Sequence, residues 1–234
     1  MDFSSRAVLQ EWMDEPCTYQ DFRACLRDLE QSNRLTWTYR PTLSWLAQLL
    51  ARRGRQGEPL RIVDVGSGYG DMLRRLARWG RRRGAALTLI GVDLNPYAAR
   101  AARAVDGSEG ITWITGDAFS VDLAGGVDVV LSSLFTHHLT EPEIVRFLAW
   151  IERTARLGWF VNDLYRHPLP HHLYWLLARV ARWHRFVQHD GPVSIRRSFS
   201  RADWQRMGQA AGLPMAEVDS SHYFPARLCV GRLR

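Results

Sequence analysis

The chain has 234 residues, of which 46% are apolar and 24% are charged, and its formal net charge is +7. This length suits one sizeable domain with an addition built onto it, and no apolar run approaches the roughly 18 residues of a membrane span. All 31 basic residues are arginines, which excludes sites that depend on a lysine, such as a P-loop or a Schiff base.

The N-terminal section is acidic and predicts helices placed ahead of a core. Its first 16 residues hold four acidic groups and no apolar stretch, so we expect no secretory signal and a cytoplasmic protein. Apolar side chains at helical spacing predict one helix over residues 21–31 and a second near 43–53. We therefore expect residues 1–58 to form a helical cap, which ends in a linker at 53–59 rich in Gly, Arg and Pro.

From residue 61 onward, strand and helix patterns alternate. The predicted strands are short and largely apolar, and they cover residues 61–65, 87–93, 111–116, 127–132 and 158–162. The predicted helices between them begin at residue 71 or cover residues 96–105 and 141–156. Such alternation predicts the α/β class, with a mostly parallel sheet covered by helices on both faces.

The alternation ends after Asp163. Residues 164–199 contain five histidines and an amphipathic helix near 173–187, and we interpret them as a lid insertion over the substrate. The apolar stripe of that helix favours packing on the core. The alternatives are that it covers a hydrophobic substrate or contacts a membrane surface peripherally. After a last helix over 202–211, two closely spaced strand patterns predict an antiparallel hairpin at the sheet edge.

The positive charge is concentrated in one part of the chain. Residues 34–83 carry twelve arginines against three acids. On the helix that begins at Asp71, the arginines are expected to form the solvent face: Arg74, Arg75, Arg78, Arg81, Arg82 and Arg83. A solvated face is the ordinary reason for such a pattern, so nucleic acid is not the expected partner.

A glycine-rich turn separates the first predicted strand from the following helix, and it runs Asp64-Val65-Gly66-Ser67-Gly68-Tyr69-Gly70. Glycines there let the backbone turn sharply and let a ligand approach closely. The spacing is GxGxG, whereas dinucleotide-binding proteins have GxGxxG. Asp71 also competes with a phosphate for the amides of the helix start, so the turn favours a nucleotide cofactor without phosphates.

Two more acids follow the next two predicted strands. Asp93, followed by Leu94, ends the second strand 23 residues after Gly70, where a carboxylate can accept both hydroxyls of a ribose. Asp117, followed by Ala118, comes after the third strand. An acid at that position can accept a hydrogen bond from the amino group of an adenine.

Together these residues resemble the class I S-adenosylmethionine-dependent methyltransferases over about residues 60–234. The resemblance implies S-adenosyl-L-methionine as the cofactor and a Rossmann-like, seven-stranded sheet with a C-terminal antiparallel hairpin. It places the cofactor-binding domain at residues 59–234, with the lid insertion after the fifth strand and the N-terminal cap closing over the cofactor. The positions that it assigns to cofactor binding are Asp64, Gly66, Ser67, Gly68, Gly70, Asp93, Leu94, Asp117, Ala118 and Ser132.

The catalytic candidates follow the fourth and fifth predicted strands. His137 and His138 come just after the fourth strand, and Asp163 comes after the fifth, 26 residues beyond His137. If these strands are neighbours, the carboxylate can orient an imidazole and support its charged form. The arrangement resembles that of small-molecule O-methyltransferases, in which a histidine after the fourth strand acts as the base. Packing and helix capping are the alternative role of the two histidines.

The expected substrate is a small molecule with a methyl-accepting hydroxyl on an aromatic, polyketide-like or quinone-like body. His167, Arg196 and Arg197 are predicted to bind it, the arginines through an anionic group. No metal site is predicted, because the histidines of the lid match no ligand motif and magnesium prefers carboxylates. The alternatives are an RNA or protein methyltransferase and a cofactor-binding scaffold without turnover, and the sequence assigns no oligomeric state.

Overall fold

A seven-stranded sheet forms the centre of the computed structural model, which describes residues 2–53, 59–123 and 125–234. Its strands are β1 (Leu60–Val65), β2 (Leu87–Asp93), β3 (Ile111–Thr115), β4 (Val127–Ser133), β5 (Ala155–Leu164), β6 (Asp219–Tyr223) and β7 (Arg227–Leu233). The strand order is β3-β2-β1-β4-β5-β7-β6. Strands β1 to β5 pair in parallel, and β7 is antiparallel to both β5 and β6, so the predicted fold class is confirmed.

The helices lie ahead of the sheet, between its strands and after β5. Their bounds are α1 (Tyr19–Leu35), α2 (Tyr39–Arg53), α3 (Asp71–Arg83), α4 (Pro96–Arg103), α5 (Glu141–Thr154), α6 (Pro168–Val180), α7 (Arg185–Arg197) and α8 (Arg201–Ala210). No helix in these ranges is long and apolar enough to cross a membrane. The central residues of the predicted linker, 54–58, and with them the boundary of the predicted cap, lie outside the described residues.

The central strands are apolar because they are covered on both faces. One core cluster packs Phe147 of α5 and Trp204 of α8 against β4 and β5. The other packs Leu46 of α2 and Leu73 of α3 against β1 and β2. Two such layers leave the carboxyl ends of the parallel strands as the open edge, where ligands bind in sheets of this kind.

The lid insertion differs from the prediction. The prediction of a single helix near residues 173–187 is wrong. Helices α6 and α7 are separate and are joined by a turn in which Arg182 has a φ of +54°. The apolar stripe is divided between them. Leu173 and Leu176 of α6 are 56% and 53% exposed, whereas Val187 of α7 is buried, so core packing holds only for the second half of the predicted stripe.

The prediction that the arginines of α3 all face solvent is wrong for Arg74, which is 1% exposed. Its guanidinium donates to the carbonyl oxygen of Tyr69 at 2.5 Å and pairs with Glu30 of α1 at 3.2 Å. A buried cation needs such partners, since leaving it unpaired costs several kcal/mol. The pair ties the N-terminal helix to the glycine-rich turn.

We predict that Glu30→Ala lowers the free energy of unfolding by about 2 kcal/mol, because it leaves the buried guanidinium of Arg74 without its carboxylate. Urea unfolding followed by circular dichroism measures this. The control is Glu109→Ala, which removes an exposed acid and should change stability by less than about 0.5 kcal/mol. Equal effects of the two substitutions would contradict the role of the pair.

Candidate active site

A pocket of about 470 Å³ opens at the carboxyl ends of the parallel strands, between the sheet and helices α1 and α7. Its wall is acidic. One arginine, Arg227, lines the described part of this wall, against the carboxyl groups of Glu11, Asp14, Glu30, Asp64, Asp71, Asp93 and Asp190. Such a wall favours a cationic ligand.

The glycine-rich turn forms one side of this pocket. Gly66, Gly68 and Gly70 all have positive φ, between +48° and +74°, a region that costs little only for glycine. A Cβ atom at Gly66 would lie 2.6 Å from the ring of Phe135, whereas one at Gly68 would meet no atom closer than 3.8 Å. Glycine is therefore required at position 66 because any side chain would collide with Phe135. At Gly68 the missing side chain leaves space in the pocket.

Asp93 fixes this turn from the end of β2. Its Oδ2 accepts the backbone N–H of Gly68, and its Oδ1 accepts that of Asn95, both at 2.8 Å. Burial raises the pKa of Asp93, although these two hydrogen bonds oppose the shift. Each oxygen keeps acceptor capacity for a further donor, which is what the two hydroxyls of a ribose require.

Asp64 supplies an unsatisfied acceptor in the same wall. Its side chain is 2% exposed, and its Oδ1 has no hydrogen-bond partner among the residues that the structure describes. Burial, together with the nearby charges of Asp71 and Asp93, raises the pKa of Asp64 well above its usual range. A donor group of a bound ligand would satisfy this oxygen.

The predicted cofactor residues divide into two groups. Six line the pocket: Asp64, Gly66, Ser67, Gly68, Asp93 and Leu94. The other four have structural contacts behind or beside it: Gly70 packs on Trp113, Ser132 Oγ donates to the carbonyl oxygen of Val65, Asp117 is exposed and accepts the N–H of Phe119, and Ala118 packs on the core. The neighbours of Ser132 that do line the pocket are Ser133, Leu134 and Phe135.

The structure brings His137 and Asp163 together, because β4 and β5 are adjacent. Asp163 is 1% exposed, and its Oδ1 lies 2.7 Å from Nδ1 of His137. Its Oδ2 accepts the backbone N–H of His137 at 3.0 Å and the hydroxyl of Thr136. Burial alone would raise the pKa of Asp163, but the attraction of His137 and these hydrogen bonds hold it well below its usual range.

The N-terminal segment, residues 2–15, contributes a residue that the sequence analysis missed. This segment crosses α7, where the N–H of Ala7 donates to the carbonyl oxygen of Arg196 and that of Trp12 to Asp190. Between them, Glu11 is 3% exposed and lies 3.8 Å from Nε2 of His137. No local pattern could have indicated this contact, since the two residues are far apart in the chain.

Glu11 is a carboxyl group that can change charge near neutral pH. Burial raises its pKa to about 7, against the opposing effects of His138 and Arg197. Its Oε1 accepts the hydroxyl of Ser194 at 3.0 Å and lies 3.3 Å from Arg197. A carboxyl group therefore lies beside Nε2, the ring nitrogen of His137 that Asp163 does not contact.

Within residues 2–53, 59–123 and 125–234, one group of side chains could hold a metal ion: Glu11, His137 and His138, with ligand atoms within 4.8 Å of one another. Asp14 contacts Nδ1 of His138 at 3.0 Å and Asp163 contacts Nδ1 of His137, which leaves both Nε2 atoms on the side of Glu11. The guanidinium of Arg197 lies 3.3 Å from Glu11. The cation of Arg197 competes with a metal ion for Glu11, so the absence of a metal site stays our prediction.

The residues predicted to bind the substrate have other contacts. His167 caps α6 by accepting the N–H of Leu169 at 3.2 Å. Arg197 is 8% exposed and pairs with Asp14 at 2.8 Å, behind the pocket wall. Arg196 is half-buried, and neither arginine is part of the wall. The lid instead reaches the wall through Tyr174, Val187, Gly191, Ser194 and Ile195.

Comparisons with known proteins find similarity to methyltransferases. A family model described as a methyltransferase domain matches residues 62–158. The ubiquinone biosynthesis O-methyltransferase of Aeromonas salmonicida (strain A449) is 24% identical over 168 residues, which are 70% of this chain and 67% of that one.

Solved structures show the same fold. The plantazolicin methyltransferase BpumL, in complex with a triazolic desmethylPZN analog and SAH, superposes with a TM-score of 0.64 at 12% identity over 89% of each chain. The magnesium protoporphyrin IX methyltransferase of Synechocystis PCC 6803, with bound SAH, has a TM-score of 0.54 at 14% identity over 85% of this chain and 82% of that one.

The fold and the pocket define a nucleotide-cofactor enzyme of the Rossmann-like class. The chain is a class I S-adenosylmethionine-dependent methyltransferase, and S-adenosyl-L-methionine is its cofactor, as the resemblance predicted. The open acceptor of Asp64, the free space at Gly68 and the carboxylate of Asp93 fit this molecule.

We predict that Asp93→Ala weakens the binding of S-adenosylhomocysteine at least tenfold, about 1.4 kcal/mol, because it removes the ribose acceptors and releases Gly68. Isothermal titration calorimetry measures the dissociation constant. Asp122→Ala removes an exposed acid of the same type and serves as the control, with unchanged affinity expected. Unchanged affinity in Asp93→Ala would exclude this carboxylate from the cofactor site.

Proposed function

We propose that this methyltransferase methylates a hydroxyl group of a small aromatic, polyketide-like or quinone-like acceptor, with His137 as the general base. The observation that carries the proposal is the buried pair of Asp163 and His137 at the carboxyl ends of β4 and β5. Because Asp163 engages Nδ1, the other ring nitrogen, Nε2, is left on the side of Glu11, within the pocket wall.

Asp163 has two roles in this mechanism. By accepting the Nδ1 proton it selects the tautomer of His137 whose Nε2 carries a lone pair. Because its own pKa is held low, Asp163 is charged and stabilises the imidazolium that forms when His137 takes the hydroxyl proton at Nε2. When bound, S-adenosylmethionine supplies an electrophilic methyl group on a sulfonium sulfur.

Glu11 supports the same step from the opposite side of the ring. In its ionised form the carboxylate, 3.8 Å from Nε2, stabilises the imidazolium as Asp163 does. Its pKa of about 7 also makes it a group that can accept a proton at neutral pH. These contacts are shielded from solvent, since Glu11 and His137 are each 3% exposed.

The nature of the acceptor follows from the rest of the wall. Apolar side chains from the cap, the loop after β4 and the lid line the pocket: Phe22, Leu26, Phe135, Val187 and Ile195. Apolar side chains of this kind supply the contact surface for the ring system of a small ligand, beside the polar groups that orient it. The name of the relative from Aeromonas salmonicida, a ubiquinone biosynthesis O-methyltransferase, supports a hydroxyl on a ring system.

We predict that His137→Gln lowers kcat by about 10²- to 10⁴-fold, the usual contribution of a general base, while the affinity for S-adenosylhomocysteine stays within twofold. Transfer of tritiated methyl groups to a panel of catechols and hydroxybenzoates measures kcat.

The control is His172→Gln, because His172 is an exposed histidine of α6 outside the pocket wall. It should turn over at the wild-type rate. If His137→Gln also keeps the wild-type rate, the reaction proceeds by positioning alone and the proposed base is wrong.

A further inference from the structure

Arg227 is the one arginine in the described pocket wall, and the proposed mechanism gives it no role. It begins β7 and pairs in register with Leu164, the residue after Asp163. Its side chain is 5% exposed and lines the pocket. It therefore begins its strand next to the strand end that carries Asp163 of the proposed catalytic pair.

The hydrogen-bonding capacity of Arg227 is largely unused. Its Nη2 donates to the hydroxyl of Thr38 at 2.5 Å and to that of Thr36 at 3.3 Å. Its Nε and Nη1 have no partner in the described parts of the chain. Two neutral hydroxyls cannot balance a buried positive charge, and burial accordingly lowers the pKa of Arg227.

The other buried arginines are different. Arg74 pairs with Glu30 at 3.2 Å, Arg166 with Asp203 at 3.0 Å and Arg197 with Asp14 at 2.8 Å. Arg227 alone among them makes no ion pair with a described residue. Asp163 attracts it through space, but both oxygens of that carboxylate are already held by the loop after β4.

We propose that Arg227 binds a carboxylate of the methyl acceptor, so that the acceptor is an acidic aromatic or polyketide-like molecule rather than a neutral one. The two unpaired donors, the buried Nε and Nη1, supply the charge-assisted hydrogen bonds, and the ligand supplies the missing counter-charge. This inference rests on the proposed function, because it assumes a small-molecule acceptor beside His137.

The cofactor also carries a carboxylate, at the end of the molecule away from the ribose, so the position of Arg227 relative to the ribose site bears on the assignment. Asp93, the ribose acceptor, ends β2, and β2 is four strand steps from β7 in the order β2-β1-β4-β5-β7. At about 4.8 Å a step, this is roughly 19 Å between the strands. The start of β7 therefore lies beyond the strand end of the proposed base as seen from Asp93, while the guanidinium of Arg227 reaches back to Thr36 and Thr38. The affinity for S-adenosylhomocysteine distinguishes the two carboxylates.

The test uses two probes with one ring system, 3,4-dihydroxybenzoate and catechol, which differ by the carboxylate. Calorimetric titration into the protein saturated with S-adenosylhomocysteine measures both at constant ionic strength. We expect the wild type to bind the benzoate at least tenfold more tightly than catechol. In Arg227→Gln this preference should vanish, whereas Arg153→Gln, the same substitution at an exposed position, should keep it.

Three results would overturn the proposal: equal affinities of the two probes in the wild type, a preference that survives Arg227→Gln, or a loss of S-adenosylhomocysteine affinity in Arg227→Gln. The last result would assign the arginine to the cofactor. Unfolding temperatures check that the variant folds, and removing an unpaired buried charge should not lower them. Failure of the His137 prediction is separate, because probe binding does not depend on turnover.

Discussion

The buried carboxylate of Asp163 is the constraint on which the loop after β4 and the proposed base, His137, depend. A charged group that is 1% exposed is tolerated only if its oxygens are satisfied. Here the loop after β4 satisfies them through a hydroxyl, a backbone N–H and an imidazole. The loop and the ring are thus fixed by one interaction, and the orientation of His137 follows from the electrostatic needs of Asp163.

A second carboxylate at a strand end, that of Asp93, organises the glycine-rich turn in the same way. Asp93 accepts two backbone N–H groups and holds Gly68 in a conformation that a side chain would disfavour. Strands β1 and β4 lie between the two carboxylates. The distance between these two carboxylates is therefore set by the spacing of the parallel strands, which is a rigid feature of the core.

The sequence carried the information for the sheet and for these two carboxylates, because both depend on local patterns. Short apolar strands alternate with amphipathic helices, and Asp93 and Asp163 each come at a predicted strand end. Helical periodicity predicts the wrong environment for Arg74, because it shows which face an arginine occupies and not which neighbour covers that face. The sequence predicts one helix in the lid because the apolar spacing continues across the turn at Arg182.

Glu11 and Arg227 could not be found from the sequence for a different reason. Glu11 reaches His137 from a segment that crosses α7 and whose one regular element is the short 3-10 helix Trp12–Asp14. The burial of Arg227 depends on the register of an antiparallel pair formed by the last strand. Both contacts join the ends of the chain to its middle. Only the tertiary structure brings such residues into one wall.

The most direct test of this account is the tautomer of His137. Long-range ¹H–¹⁵N correlation spectra of the histidine rings, assigned with His137→Gln, report which ring nitrogen carries the proton. The account predicts a protonated Nδ1 with a downfield proton that Asp163→Asn abolishes, and a lone pair at Nε2 at the pH of maximal activity. A ring with its lone pair at Nδ1 would contradict the roles of both residues.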